Sequence, residues 1–476
     1  CNNLILQGAT TRIMPALTVN GVMTATGRIV LCGDNLTLQG AGPHTFTNNE
    51  MWIGGGALVV NGTLNVNGTG NLALIGSGGG CGVGTITGTG TITYVATARL
   101  STGGGWTGTL DTPELPIAPT PMNGILDLGG SGGAVTIAND LFLNGSLNLM
   151  MTAGNDMVLG PARILTLAGA GTITPANPGS KIQANNTNSV IVQRPTIDGN
   201  HFVGSWIFRL VIDNPTTVTL QNNITAGNGG LSFLNAGNFD LNGNTLTLGD
   251  GAAFSISGGG AGRILGTGVG SRVITQGTGT LDGNRFTANV VANLTINGAG
   301  TNTTTLVNNL TIGTALDLPS AMRTLVLGNP SQLTIPTATM IAGPGLINAQ
   351  GAGSTVVWSP ITFPADRFVN KTLFNLTINS PVNVTLTNAA GTPLVIGGAL
   401  TMQGAGHFGV FTAGTMNYLR LLNGATLNIP STGRLAINQM NSGIEVQAAG
   451  LNANALLNNQ VMDLQINRAT NVQLAG

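Results

Sequence analysis

A short alternating phrase, Asn375-Leu376-Thr377-Ile378 followed by Val384-Thr385-Leu386, returns along the whole chain at a nearly fixed interval. It recurs as Leu36-Thr37-Leu38 with Phe46, Leu126-Asp127-Leu128 with Ile137, and Leu210-Val211-Ile212 with Leu220. Further copies are Leu294-Thr295-Ile296 with Leu306, and Leu464-Gln465-Ile466 with Leu474. The anchors Leu36, Leu126, Leu210, Leu294, Leu376 and Leu464 are separated by 90, 84, 84, 82 and 88 residues. A tandem array restricts the fold more than any local motif does, because each unit must bury its apolar face against a neighbour of the same design.

Two further marks keep this phase. Phe202, Phe286 and Phe368 each lie eight residues before the anchors Leu210, Leu294 and Leu376, and Leu456 holds that place before Leu464. An asparagine turn follows the second strand at Asn48-Asn49, Asn139-Asp140, Asn222-Asn223 and Asn308-Asn309, with a weaker copy at Asn388-Ala389. Asparagine tolerates the left-handed region and bonds its own main chain, so it reads as a corner. The array divides into the end of a preceding repeat (1–35), five repeats (36–125, 126–209, 210–293, 294–375, 376–463) and the start of another (464–476).

Within each unit three to six residues alternate apolar and polar, then Gly, Asn or Asp interrupts, as in Leu17-Thr18-Val19 and Leu64-Asn65-Val66. Apolar spacing of three and four never persists long enough for a helix. The expected fold is all-β, a parallel β-solenoid in which Leu, Ile and Val fill a narrow continuous core while Gly and Asn take the corners. Each 84-residue unit then holds three to four coils, and strands about 4.8 Å apart give a rod of roughly 80–110 Å. A string of β-sandwich domains is the rival, since turns every eight to twelve residues suit it too. Four Trp and two Tyr leave most such domains without an aromatic centre. An outer-membrane barrel lacks its aromatic girdles. Between Pro113 and Pro121 four prolines fall in nine residues, the best candidate for a bend.

Composition bounds the partners. Sixteen acids balance sixteen bases, only Lys181 and Lys371 are lysines, and charged residues make up 7% of the chain, so neither a nucleic-acid footprint nor a polybasic patch is implied. No apolar run reaches the roughly 18 residues of a membrane helix. The opening Cys1-Asn2-Asn3-Leu4 shows no signal peptide; Cys1 fits the lipidated cysteine of a lipoprotein, although the usual polar tether is missing. The stop at Gly476, early in a new repeat, suggests a fragment of a longer array. Cys1, Cys32 and Cys81 share no repeat phase; they read as small buried thiols, with a Cys1–Cys32 bridge left open.

Signals for chemistry are sparse. His201 in Asp198-Gly199-Asn200-His201-Phe202 is replaced by Arg285 in Asp282-Gly283-Asn284-Arg285-Phe286, so the position reads as a solvated turn; His44 and His407 have no triad partner. Asp198, Asp282 and Asp366 are 84 residues apart and belong on one stripe, as turn caps rather than as a Ca²⁺ site, which needs several carboxylates in one loop. Polysaccharide-cutting β-helices cluster acids on one face. Here Asp111 and Glu114, in the proline loop, are the closest pair. Gly258-Gly259-Gly260-Ala261-Gly262 and Gly78-Gly79-Gly80 precede no helix and are corners, not phosphate cradles. Thr85-Ile86-Thr87 and Thr91-Ile92-Thr93 resemble an ice-binding ladder for two copies only. No catalytic, cofactor-binding or metal-ligating residue is therefore nominated, and the chain is not read as an enzyme.

The phrases Asn375-Leu376-Thr377-Ile378-Asn379, Leu306-Val307-Asn308-Asn309-Leu310-Thr311-Ile312 and Leu241-Asn242-Gly243-Asn244-Thr245-Leu246-Thr247-Leu248-Gly249 resemble those of very long secreted repeat proteins of Bacteroidota, the giant cell-surface adhesins of gliding members among them. The resemblance implies export, an extracellular location at the cell surface, and a structural and adhesive role in a long fibre or filament. Implied partners are other copies in a filament and surface polysaccharide or substratum. The alternative is a carbohydrate-binding or polysaccharide-degrading β-helix protein.

Overall fold

The structure is a computed structural model. It describes residues 1–475 except 14–15, 41, 78–80, 96, 112–113, 117–118, 130, 150, 152–154, 175–178, 252, 298–302, 388–391, 410–416, 439, 448–449 and 468–472. About 55% of the chain is strand and 4% helix, arranged as a parallel β-solenoid of about 18 turns. The chain divides into two compact units, Cys1–Gly237 and Asn238–Gly476. The parallel ladders rule out the antiparallel sandwich and the up-and-down barrel together.

In the first unit the opening coils have three faces. The strands Leu4–Leu6, Met23–Ala25, His44–Thr47, Thr63–Asn67 and Thr91–Tyr94 stack on one face. Thr10–Ile13, Arg28–Cys32, Glu50–Gly54, Asn71–Ile75 and Arg99–Gly103 stack on the second. Leu17–Val19, Leu36–Leu38, Ala57–Val60 and Thr85–Thr87 make the third. On that face Leu17 pairs with Leu36, Leu36 with Leu58 and Leu58 with Ile86, so successive coils take 19, 22 and 28 residues. The rungs stay in register while the corners change length. Period-2 alternation explains why: in Thr63–Asn67, Leu64 and Val66 are fully buried while Thr63, Asn65 and Asn67 are part-exposed.

The anchor phrases sit in these rungs, though not all on one face. Leu36 belongs to the third face, whereas Leu126 pairs with Leu100 and Leu147 on the second. In the second unit Leu294 pairs with Val273 and Leu316, and Leu376 pairs with Val356 and Leu400. A layer of rings replaces aliphatic filling there, with Phe363 stacked on Phe368 at 5.2 Å and edge-on to Trp358 and Phe408.

The phased phenylalanines mark one recurrent device. Three-residue 3₁₀ turns, Gly199–His201, Gly283–Arg285 and Ala365–Arg367, lead directly into Phe202, Phe286 and Phe368. Each Phe pairs with a buried isoleucine of the preceding coil, Ile182, Ile264 or Ile347. The next pairings are Ala184 with Ile207, Gly266 with Val291 and Ala349 with Leu373, so five residues oppose two and the excess forms a bulge. At its crest two consecutive residues are left-handed: Gly204 and Ser205 (φ 62° and 55°), Ala288 and Asn289 (53° and 56°), Asn370 and Lys371 (both 52°). After Leu456, which follows the 3₁₀ turn Ala453–Ala455, Asn458 and Asn459 repeat the pair at 56° and 54°.

The expected Asp198, Asp282 and Asp366 caps are met only in part. Asp198 accepts from Asn200 N at 2.8 Å and Asp282 from Asn284 N at 2.9 Å. Asp366 does not continue the set: the cap position is Pro364, which makes no side-chain cap bond, and Asp366 lies inside the turn, 3.1 Å from Lys371. The step between Phe286 and Phe368 is 82 residues rather than 84, so a strict count of 84 lands two residues late. Asn452 fills the cap position before Leu456, accepting from Asn454 N at 2.9 Å.

The cysteine reading is corrected too. Cys32 and Cys81, 49 residues apart, form a disulfide, and Cys1 is free and exposed rather than bridged to Cys32. A corner loop between Ile75 and Thr85 lays Cys81 over Gly54 and Gly55. At Gly55 (φ 64°) a Cβ would lie 1.6 Å from the Cys81 carbonyl, so only glycine lets the loop pass. In the proline stretch Pro113 lies outside the described residues. Glu114, Leu115 and Pro116 are buried, so this part packs onto the stack rather than hanging free.

Candidate functional site

A cleft of about 370 Å³ in the first unit lies beside the 3₁₀ turn that precedes Phe202. Its floor is the corner Gly169-Ala170-Gly171 and its near wall is Arg194-Pro195-Thr196-Ile197-Asp198, with His201 and Gln221 at the margins. The floor is tight: a Cβ on Gly171 would lie 1.8 Å from the Gly145 carbonyl, so the corner must be bare backbone. Stacked coils build the wall, since Thr196 and Ile197 pair in register with Thr219 and Leu220.

Arg194 sets the electrostatics. It is only 6% exposed, yet among the described residues it forms no ion pair. Its hydrogen bond is a long one, from Nη2 to the Ala168 carbonyl at 3.5 Å, and its buried Nε has no partner. Burial alone pushes the guanidinium down to about 10. His201, the last residue of the turn, is half-buried against the cleft. Burial lowers its pKa, an effect opposed by the Asp198 charge and reinforced by Arg194. Asp198 has one oxygen engaged: Oδ1 accepts from Asn200 N and from the Asn222 side-chain amide, both at 2.8 Å. Oδ2 carries no hydrogen bond among the described residues.

The same groove recurs in the second unit with its charge removed. Pro360 lies eight residues before Phe368 as Arg194 does before Phe202, and Pro364 replaces Asp198. A cleft of about 220 Å³ there is lined by Thr337, Thr339, Trp358, Pro360, Thr362 and Pro364. At the position before Phe, the cations act as braces: Arg285 donates from Nη1 to the Gly260 carbonyl at 3.0 Å and from Nη2 to that of Gly258 at 2.7 Å, and Arg367 donates to Gly343. The glycine-rich stretch 258–262 thus offers carbonyls to a cation, the reverse of a phosphate cradle; Gly78-Gly79-Gly80 lies outside the described residues.

The remaining histidines lie away from this cleft. His44 is fully buried, with Nδ1 accepting from Met23 N at 3.1 Å, and His407 Nδ1 accepts from Arg434 N at 3.1 Å. Asp111 and Glu114 do meet, the exposed Asp111 lying close enough for its charge to act on the buried Glu114 carboxyl. Among the described residues no group of three His, Cys, Asp or Glu side chains is placed to hold a metal. Among the described residues no helix is long and apolar enough to cross a membrane. Comparison with family models, with curated proteins and with solved structures finds no match. What the fold and the site define is therefore a class, a parallel β-solenoid with a repeated bulge-and-groove device whose first copy carries a buried unpaired arginine.

Proposed function

We propose that this chain is a structural and adhesive segment of a long extracellular surface fibre. The observation that carries the reading is the recurrence of one bulge after Phe202, Phe286 and Phe368, each preceded by a 3₁₀ turn. A stack held by main-chain pairing gives stiffness, and equivalent devices at a fixed phase offer many weak contacts that act together. With sixteen acids and sixteen bases in 476 residues, neighbouring stacks repel little, so lateral association is part of the proposal.

Electron microscopy of the native source and sedimentation of the purified chain test this reading. Filaments on the cell surface and concentration-dependent assembly are expected. A stable monomer at high concentration, together with an intracellular location, would end it. The cleft at Arg194 favours the second reading, a carbohydrate-binding solenoid, as far as binding goes.

A further inference from the structure

We propose that the cleft beside Phe202 binds a small anionic ligand, its oxyanion meeting the Arg194 guanidinium and a neighbouring hydroxyl meeting Asp198 Oδ2. The assignment stands on the groove and not on the fibre reading. A guanidinium withdrawn from water normally sits against a carboxylate or a set of carbonyls, because an uncompensated buried charge is costly. Arg285 and Arg367 follow that rule with their glycine carbonyls. Arg194 does not, since its single hydrogen bond is 3.5 Å long and its Nε is bare.

The contrast within the array argues that this is a built feature rather than a property of the coil. The groove comes with the bulge device, as its recurrence at Pro360 and Pro364 shows, but there it is smaller and carries no charge on those two positions. Thr278 holds the matching position before Phe286. Only the Phe202 copy replaces these by Arg194 together with Asp198 and His201, and it has the larger volume, about 370 Å³, within the range of small-molecule sites. The planar guanidinium fork suits an oxyanion held by two parallel hydrogen bonds. Asp198 does not take that oxyanion's place: among the described residues no ion pair joins it to Arg194, and Oδ1 is held by Asn200 and Asn222 along the stack. Its free Oδ2 accepts, which selects a ligand that carries hydroxyl groups beside its charge. A sugar acid has both.

Calorimetric titration of the full chain with glucuronate, glucose and inorganic sulfate tests the assignment. Glucuronate is expected to bind in the millimolar range and at least about tenfold more tightly than glucose. Arg194→Met, which keeps the stem and removes the fork, is expected to abolish the difference between the two sugars while Arg285→Met leaves it intact. Competition by sulfate would assign recognition to any oxyanion, and its failure to compete would assign it to the carboxylate; both support the site. No glucuronate binding by the wild-type chain, equal binding of glucose, or an unchanged preference in a folded Arg194→Met variant would overturn it. Should that variant fail to fold, the wild-type preference between glucuronate and glucose alone decides.

Discussion

The side-chain amide of Asn308 donates to Asp282 Oδ1 at 2.8 Å, and one repeat earlier Asn222 donates to Asp198 Oδ1 at the same distance. The asparagine corner of one coil is therefore the roof of the aspartate cap in the coil before it. Two marks that look independent along the chain are two ends of one bond, which is why they share a phase.

Removing the cap in the second unit should weaken it by an amount typical of capping residues. Asp282→Ala is expected to cost about 0.5–2 kcal/mol, read from urea unfolding. Asn308→Ala should cost less. The double variant should fall short of the sum, because both remove the same bond; strict additivity would show that the pair does not interact.

The bulge crest makes a prediction about backbone alone. Ala288 is exposed and left-handed at φ 53°, a conformation that costs a residue with a Cβ roughly 1 kcal/mol. Ala288→Gly is expected to be neutral to stabilising by up to about 1 kcal/mol, and Ala288→Val destabilising by more than about 1 kcal/mol. Equal stabilities for the two variants would contradict the left-handed crest.

Reduction of the Cys32–Cys81 bridge should lower the stability of the first unit. Closing a loop of 49 residues in the unfolded chain is worth about 4 kcal/mol on entropic grounds. Thermal melts with and without reductant, and with Cys32→Ala plus Cys81→Ala, check this. A melt insensitive to reductant would count against the bridge.

Glu114 gives a pH dependence with a definite sign. Its carboxyl is pushed up from the ordinary 4.5 to about 8, chiefly by burial, with the neighbouring Asp111 charge adding. The Oε2 atom is buried without a partner. Between those two values the folded chain holds a proton that the unfolded chain has lost, so this group's contribution to stability is complete below about pH 4.5 and disappears as pH rises through about 8. Glu114→Gln should flatten that slope and be the more stable protein at pH 9. An unchanged slope would remove Glu114 as its cause.

The fold was legible because two signals agree. Alternation at Leu64 and Val66 places one side inward, and the phase of Leu210, Leu294 and Leu376 says that units stack. The groove was harder to see. Arg194 is a single residue outside any motif and His201 stands in a phrase that reads as a turn, so their trace is a break in the repeat, Arg194 standing where Thr278 and Pro360 stand elsewhere and His201 where Arg285 and Arg367 stand. The Cys32–Cys81 pair was hidden for a related reason. Its geometry depends on a corner between Ile75 and Thr85 that lengthens one coil, and corner length leaves no mark in the alternation. Asp366 misled because counting by 84 ignores an 82-residue step, whereas counting from Phe368 finds Pro364.

Rungs that pair residue for residue across coils of 19, 22 and 28 residues leave the corners open to growth. The nine extra residues of the longest coil, seven of them at the corner between Ile75 and Thr85, cost little more than their own closure entropy, and the rungs of the neighbouring layers keep their register. New segments, even whole appendages, can therefore be hung from such a scaffold one at a time. Its outward decoration is free to diversify while the frame that carries it stays as it was.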